Sequence, residues 1–235
     1  MAGAVLTGER VLGVDACKAG WVGIVLAGSQ VSAFSAADIG DLVALAEADG
    51  PIEVIGIDIP IGLPDRGRRR ADVLARQAIG SLRSSVFMTP VREALEAPDH
   101  RRASAHNRAL AGEGISIQAF GLKPKLLQAD RWVRQAPCRV VEVHPEVSFA
   151  DLNGAPLDVG KRTWAGAELR RRLLADAGIV VEGEFGATGR QAGVDDVLDA
   201  AVAAWSARRV ARGEAVARPD PPEVFSDGWP CAIWS

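Results

Sequence analysis

Two aspartates close matched phrases in this chain. Val11-Leu12-Gly13-Val14-Asp15 and Val54-Ile55-Gly56-Ile57-Asp58 each place two apolar residues, a glycine and one more apolar residue ahead of a carboxylate. Short apolar runs of this kind read as buried strands. Side chains alternate across a strand, so each Asp shares a face with the Gly two residues before it. If the two strands lie side by side and parallel, the carboxylates end at one level, about 4.8 Å apart. Carboxylates that close share a proton or bind a cation. Either Asp alone would pass for a turn or cap residue; it is their repetition that argues for joint chemistry.

Further acids lie far along the chain. Asp195, Asp196 and Asp199 open the strongly helical segment from Val194, three and four residues apart, so they can approach one face. Asp195 suits an N-cap, where acids complement the helix dipole. Asp199 lies a turn further in among small apolar residues and has no helix-end purpose, so Asp199 or Asp196 is expected to be a ligand. In Glu142-Val143-His144-Pro145 the acid and the imidazole are two apart and share one face of a strand that Pro145 ends. Glu142 reads as a further metal ligand, and His144 as a proton shuttle or substrate contact. Hard oxygen donors of this kind suit Mg²⁺ or Mn²⁺ rather than zinc. Two such ions about 3.5–4 Å apart activate water and stabilise the leaving oxygen of a phosphodiester.

Cationic residues complete the inventory. Only Lys18, Lys123, Lys125 and Lys161 are lysines among 27 basic residues, which hints at uses that a compact point charge serves better than guanidinium. Arg66, Arg68, Arg69, Arg70, Arg76 and Arg83 crowd into one helix and its flanks just after Asp58. Such a run is either a solvated helix face or a phosphate-facing surface. On the second reading Arg70, Arg76, Lys125 and Lys161 contact phosphates.

The elements that must position these groups can be read in order. Residues 10–26 form a hairpin turned at Gly20, and a third strand at 31–34 completes an antiparallel meander. Residues 38–48 have helical spacing, so the strand at 53–58 is reached through a crossover and pairs in parallel. Residues 59–138 are irregular, with helices expected at 103–110 and 122–135, and read as an insertion shaping a substrate cleft. A strand at 139–145 follows. A basic amphipathic helix spans 161–177, with Trp164, Ala167, Leu173 and Leu174 expected inward and Arg170, Arg171 and Arg172 outward. The loop 183–193 lacks phosphate-loop spacing, and the tail 229–234 reads as a final edge strand or packed extension.

The sequence has 235 residues, 48% of them hydrophobic, and a net charge of −3, which suits a single globular domain over 1–235 and not a bulk nucleic-acid coat protein. No apolar run has membrane-spanning length. The first ten residues lack a signal-peptide layout, so a cytoplasmic protein is expected. Cys17, Cys138 and Cys231 are odd in number and widely spaced, with neither a zinc pattern nor a disulfide framework. Cys17 reads as a packed or idle thiol, with a reactive one as the alternative.

The meander, the two strand aspartates and the acidic pair on a late helix resemble the ribonuclease-H-like fold of nucleases and resolvases. Asp196-Val197-Leu198-Asp199-Ala200 resembles the Asp-x-x-Asp-Ala that opens the last helix of resolvase-type members, which carry Glu where this chain has Asp58. More narrowly, the chain resembles the DUF429 family of predicted ribonuclease-H-like nucleases. The matching residues are Gly13-Val14-Asp15 with Lys18 and Gly20-Trp21-Val22; Ile57 to Pro60 with Gly62; Arg70, Asp72 and Arg76; Ser84 to Phe87 with Pro90; Gln118 and Lys125; Glu142 to Phe149; Lys161; and Asp195 to Ala200. The resemblance implies an α/β fold with a mixed five-stranded sheet flanked by helices. It also implies a Mg²⁺ or Mn²⁺ site from Asp15, Asp58, Asp196 and Asp199. Lys18, Ser85 and Gln118 join Arg70, Arg76, Lys125 and Lys161 as expected substrate contacts.

The leading expectation is therefore a metal-dependent nuclease acting on nucleic acid or another phosphate ester. A non-catalytic module binding nucleic acid or an anionic ligand is the main alternative. An ATP-handling relative of the actin and sugar-kinase group is disfavoured, because those proteins need two such lobes and glycine-rich phosphate hairpins.

Overall fold

A computed structural model describes residues 9–235; most of the N-terminal stretch that bears on targeting lies outside the described residues. Strands β1 (Arg10–Cys17), β2 (Gly20–Ala27) and β3 (Gln30–Ala36) form the expected antiparallel meander. Gly20 turns the first hairpin at φ 145°, a backbone conformation open to glycine and strained for other residues. Helix α1 (Ile39–Ala46) is capped by Asp38, whose side chain accepts from Gly40 N at 2.8 Å. It leads to β4 (Val54–Ile57), which pairs with β1 in parallel, Gly13 opposite Gly56 and Val14 opposite Ile57.

The connection from β4 to the next strand holds α2 (Arg70–Ala78), α3 (Arg92–Glu96), α4 (His100–Ala111), α5 (Ile117–Gly121) and α6 (Lys123–Val133). The helix expected at 122–135 is thus preceded by a separate short turn of helix, α5, with a break at Leu122. Strand β5 (Arg139–Glu142) pairs with β4 in parallel, and α7 (Pro145–Asn153), α8 (Trp164–Asp176), α9 (Gly186–Gln191) and α10 (Val194–Ala211) follow. Strands β6 (Ala217–Val224) and β7 (Pro230–Trp234) end the chain. The sheet order is β3-β2-β1-β4-β5-β7-β6.

The mixed α/β class is as expected, but the sheet has seven strands and not five. The C-terminal segment 229–234 is no edge: β7 lies between β5 and β6, and the edge belongs to β6. Its sequence, ARPDPPEV, conceals a strand because three prolines cannot donate to a ladder, a defect that an edge strand tolerates.

One face of the sheet packs Val11, Val22, Ile24, Val54, Val141 and Val143 against α10, and the other packs Leu12, Val14, Ile55 and Ile57 among residues of α1 and α6. Helix α10 lies unusually close to the strands. A Cβ at Gly13 would sit 2.0 Å from Ala200 O and 2.1 Å from Ala204 N, and one at Gly56 would sit 2.6 Å from Ala203 O. The two glycines of the repeated phrase form the floor on which this helix rests. Asp199 is on the same helix face, one residue before Ala200 and four before Ala203.

The amphipathic reading of residues 161–177 needs correction. Thr163 caps α8 through Gly166 N, Trp164 is 82% exposed, and Arg170 is fully buried. Arg170 turns inward because Glu146 on α7 takes both of its Nη2 bonds, at 2.7 and 2.8 Å, while Nη1 donates to Val159 O and Gly166 O. A guanidinium is tolerated in a core when an acid pairs with it and most of its donors are met, as here for both terminal nitrogens.

Candidate metal centre

Three carboxylates meet where β1, β4 and α10 converge. The parallel register sets Asp15 and Asp58 one residue beyond the paired Val14 and Ile57, on the face that carries Gly13 and Gly56. The close seat of α10 then brings Asp199 onto the same point. One oxygen from each of Asp15, Asp58 and Asp199 lies within 4.8 Å of the other two. Asp15 is 6% exposed and Asp199 is completely buried.

Lys161, in the loop before α8, pairs with Asp199 Oδ2. Asp199 Oδ1 is buried and has no hydrogen-bond partner among the described residues. One lysine against three acids leaves the cluster negative, and the acids respond by holding protons. Burial, reinforced by the charges of Asp58 and Asp199, raises Asp15 well above the ordinary carboxylate range. Burial and the charge of Asp199 push Asp58 up to about 8, and burial raises Asp199 to about 6 against the pull of Lys161. Burial alone would lower Lys161, but Asp199, Asp58 and Asp15 outweigh it and hold the ammonium charged beyond its usual range. Burial and the nearby Lys161 charge lower His144 to about 4, which keeps its imidazole neutral near pH 7.

The cluster lies in a cavity of about 200 Å³ bordered also by Ser85, Phe87, Gln118, Leu122, His144 and Lys161. Among the residues singled out in the sequence, Asp15, Asp58, Glu142, His144, Asp199, Ser85, Gln118 and Lys161 therefore border one cavity. His144 is the N-cap residue of α7, and its buried Nδ1 has no hydrogen-bond partner among the described residues.

Others go elsewhere. Glu142 does not join the triad: both its oxygens are taken, Oε1 by Arg69 Nη2 at 2.6 Å and Oε2 by Arg69 Nη1 at 2.8 Å and Ile61 N at 2.7 Å. It is opposite Ile57, one position short of Asp58, so strand alternation turns it to the other face. The hydrogen-bonded strand β5 ends at Glu142, but the backbone stays extended through His144, and Glu142 and His144 both border the cavity while Val141 and Val143 pack on the α10 side. Asp196 accepts from Gly193 N at 3.1 Å, which makes it a capping residue of α10. Arg76 donates to Val86 O at 2.9 Å and so holds the loop that borders the cavity, while Arg70 is exposed, with its backbone N–H on Glu223. Lys125 stands 4.5 Å from the centre of the Trp21 ring, and burial lowers its pKa. Lys18 does not border this cavity and is exposed beside an adjoining, larger cleft.

Within the arginine run, the residue that matters to the site is Arg69, which nothing in the run itself distinguishes from its neighbours. It is fully buried and binds Asp72 as well as Glu142, and Asp72 in turn accepts from Thr89 N at 2.8 Å. This network ties β5, α2 and the segment after Val86 together behind the cavity. The i,i+3 spacing of Arg69 and Asp72 was its only sequence trace.

The donor set fits a hard divalent cation: three carboxylates from distant parts of the chain, an orphan buried oxygen, and no sulfur. Among the described residues no helix is long and apolar enough to cross a membrane. No curated protein and no solved structure matches the chain. Residues 13–224 match the family described as protein of unknown function (DUF429), and the chain belongs to that family.

Proposed function

We propose that this protein is a divalent-metal-dependent phosphodiesterase acting on nucleic acid, with Asp15, Asp58 and Asp199 holding Mg²⁺ or Mn²⁺. The observation that carries the reading is the convergence of these three carboxylates within 4.8 Å, Asp15 and Asp199 buried and Asp58 half-buried, with Asp199 Oδ1 unpartnered. Burying like charges together is costly unless a cation compensates them. When bound, the metal supplies a Lewis acid for the phosphoryl oxygens and lowers the pKa of water.

The chain's own groups do the rest. Lys161 orients Asp199 and adds positive charge at the cavity wall, where an anionic phosphate gains from it. His144, neutral near pH 7 and bordering the same cavity, is placed to accept or pass a proton. Ser85 and Gln118 offer hydrogen bonds to substrate oxygens from the cavity rim.

The test is the Asp58→Asn protein, assayed by calorimetry with Mn²⁺ and by Mn²⁺-dependent cleavage of oligonucleotides. The expected outcome is a folded protein that has lost both metal binding and turnover. Equal activity in the parent and the variant would remove the assignment. Salt-sensitive nucleic-acid binding in the parent, without metal-dependent turnover, would support the non-catalytic module instead.

A further inference from the structure

The proposed metal centre lies in a small pit, in which Asp58 is half-buried. Asp199 is wholly buried and Asp15 nearly so. The walls come from separate elements: Pro60 after β4, Phe87 in the segment after α2, Gln118 on α5, Leu122 at the α5–α6 break, and His144 at the head of α7. The enclosed space, about 200 Å³, is smaller than the roughly 300–1,000 Å³ of pockets that hold a whole drug-sized ligand. It has room for a phosphate and its immediate substituents only.

A much larger cleft of about 740 Å³ shares Ala16 and Lys161 with this pit and continues past Lys18, Arg162, Arg171 and Trp164. Acids also line it: Asp195 is 3.6 Å from Arg162 and Glu168 is 3.3 Å from Arg171, while Asp196 caps α10. Lys18 is the exposed cation there without an ion-pair partner among the described residues, and Trp164 offers an exposed ring of the kind on which nucleobases stack.

Resting on the phosphodiesterase reading, we infer that the site takes its phosphate end-on. Its substrates are chain termini or small phosphate esters with one bulky substituent, which the larger cleft accommodates, and not internal phosphates of a closed strand or duplex. An internal phosphate carries chain on both sides, and a duplex adds the second strand, so neither can lower its phosphorus to the buried carboxylates. In the reaction the water oxygen bonds to phosphorus and the bond from phosphorus to the leaving ester oxygen breaks with its electron pair. One water proton passes to that oxygen and the other is left on the new phosphate hydroxyl.

The experiment compares four probes with the full chain in Mn²⁺: thymidine 5′-p-nitrophenyl phosphate, a linear single-stranded oligonucleotide, the same strand ligated into a circle, and a covalently closed circular duplex. A thermal-shift series reads binding independently of turnover, using thymidine monophosphates and the closed duplex as ligands. The expected result is hydrolysis of the small ester, of the linear strand stepwise from an end, or of both. The circles should be cleaved at least a hundredfold more slowly, and the monophosphates alone should raise the melting temperature. Cleavage of either circle at a rate comparable to the linear strand overturns the end-on inference and leaves the phosphodiesterase reading standing. Failure to hydrolyse all four probes while Mn²⁺ still binds removes the phosphodiesterase reading, and this inference with it.

Discussion

Gly13→Ala is the smallest change that tests how the triad is assembled. The added methyl meets backbone on the facing helix, at 2.0 Å from Ala200 O and 2.1 Å from Ala204 N. Gly13 itself lies in ordinary strand conformation, so the whole effect is steric. To restore an ordinary contact of about 3.4 Å, α10 must retreat from β1 by about 1.4 Å. That displacement carries Asp199 with it, since Asp199 precedes Ala200 on the same helix. Inserting a methyl into a packed core costs about 1–3 kcal/mol, and with backbone on the opposing side the upper end is expected. Misplacing a reacting group by about 1 Å costs around a hundredfold in rate. Urea denaturation reads the first quantity, and calorimetric titration with Mn²⁺ reads the second consequence, as an affinity loss of about tenfold or more when one of three ligands moves away. Gly56→Ala should follow at a lower cost, because its nearest contact is 2.6 Å. Gly121→Ala, on a helix with nothing within 4 Å, should be neutral or stabilising by up to about 1 kcal/mol. If Gly13→Ala matched the parent in both stability and Mn²⁺ affinity, the account of α10 as the element that delivers Asp199 would be wrong.

Two further outcomes follow from buried charge. Arg69→Met leaves Asp72 and Glu142 buried without their cation and should cost about 3–5 kcal/mol in urea unfolding; a loss below about 1 kcal/mol would show that the network behind the cavity contributes little. The metal-free protein should also lose stability as pH rises from about 6.5 to 8. In that window Asp58, raised to about 8, still holds a proton in the folded state that the unfolded chain has released; Asp15, raised by burial, acts in the same sense. Below about 6.5 His144, lowered to about 4, acts in the opposite sense, because the unfolded chain binds a proton that the folded one refuses. Saturating Mn²⁺ should reverse the slope above pH 6.5, since it binds the deprotonated carboxylates and releases their protons. Melting curves at pH 6.5 and 8, with and without Mn²⁺, measure both; a metal-free protein equally stable at the two values would contradict the burial of the pair.

What could be read directly from the residues was whatever local pattern controls. Short apolar runs and the Gly20 turn specify the meander, a strand reached through a helix specifies parallel pairing of β1 and β4, and the repeated phrase specifies that Asp15 and Asp58 end level. Asp199 stood out because a buried acid one turn into a helix has no local partner. The tertiary structure alone decided which other charges belong to the site, because burial and pairing depend on neighbours distant in sequence. Glu142 is turned away by its register against Ile57, Asp196 is consumed by its own helix end, and Arg69 and Arg170 are drawn inward by Glu142 and Glu146. No one-dimensional pattern distinguishes these two arginines from the solvated ones beside them, since a guanidinium enters a core only where acids from other elements are already waiting. The same holds for the pit: its walls come from segments spread between Pro60 and Lys161, and only their packing sets how much of a substrate can reach the carboxylates.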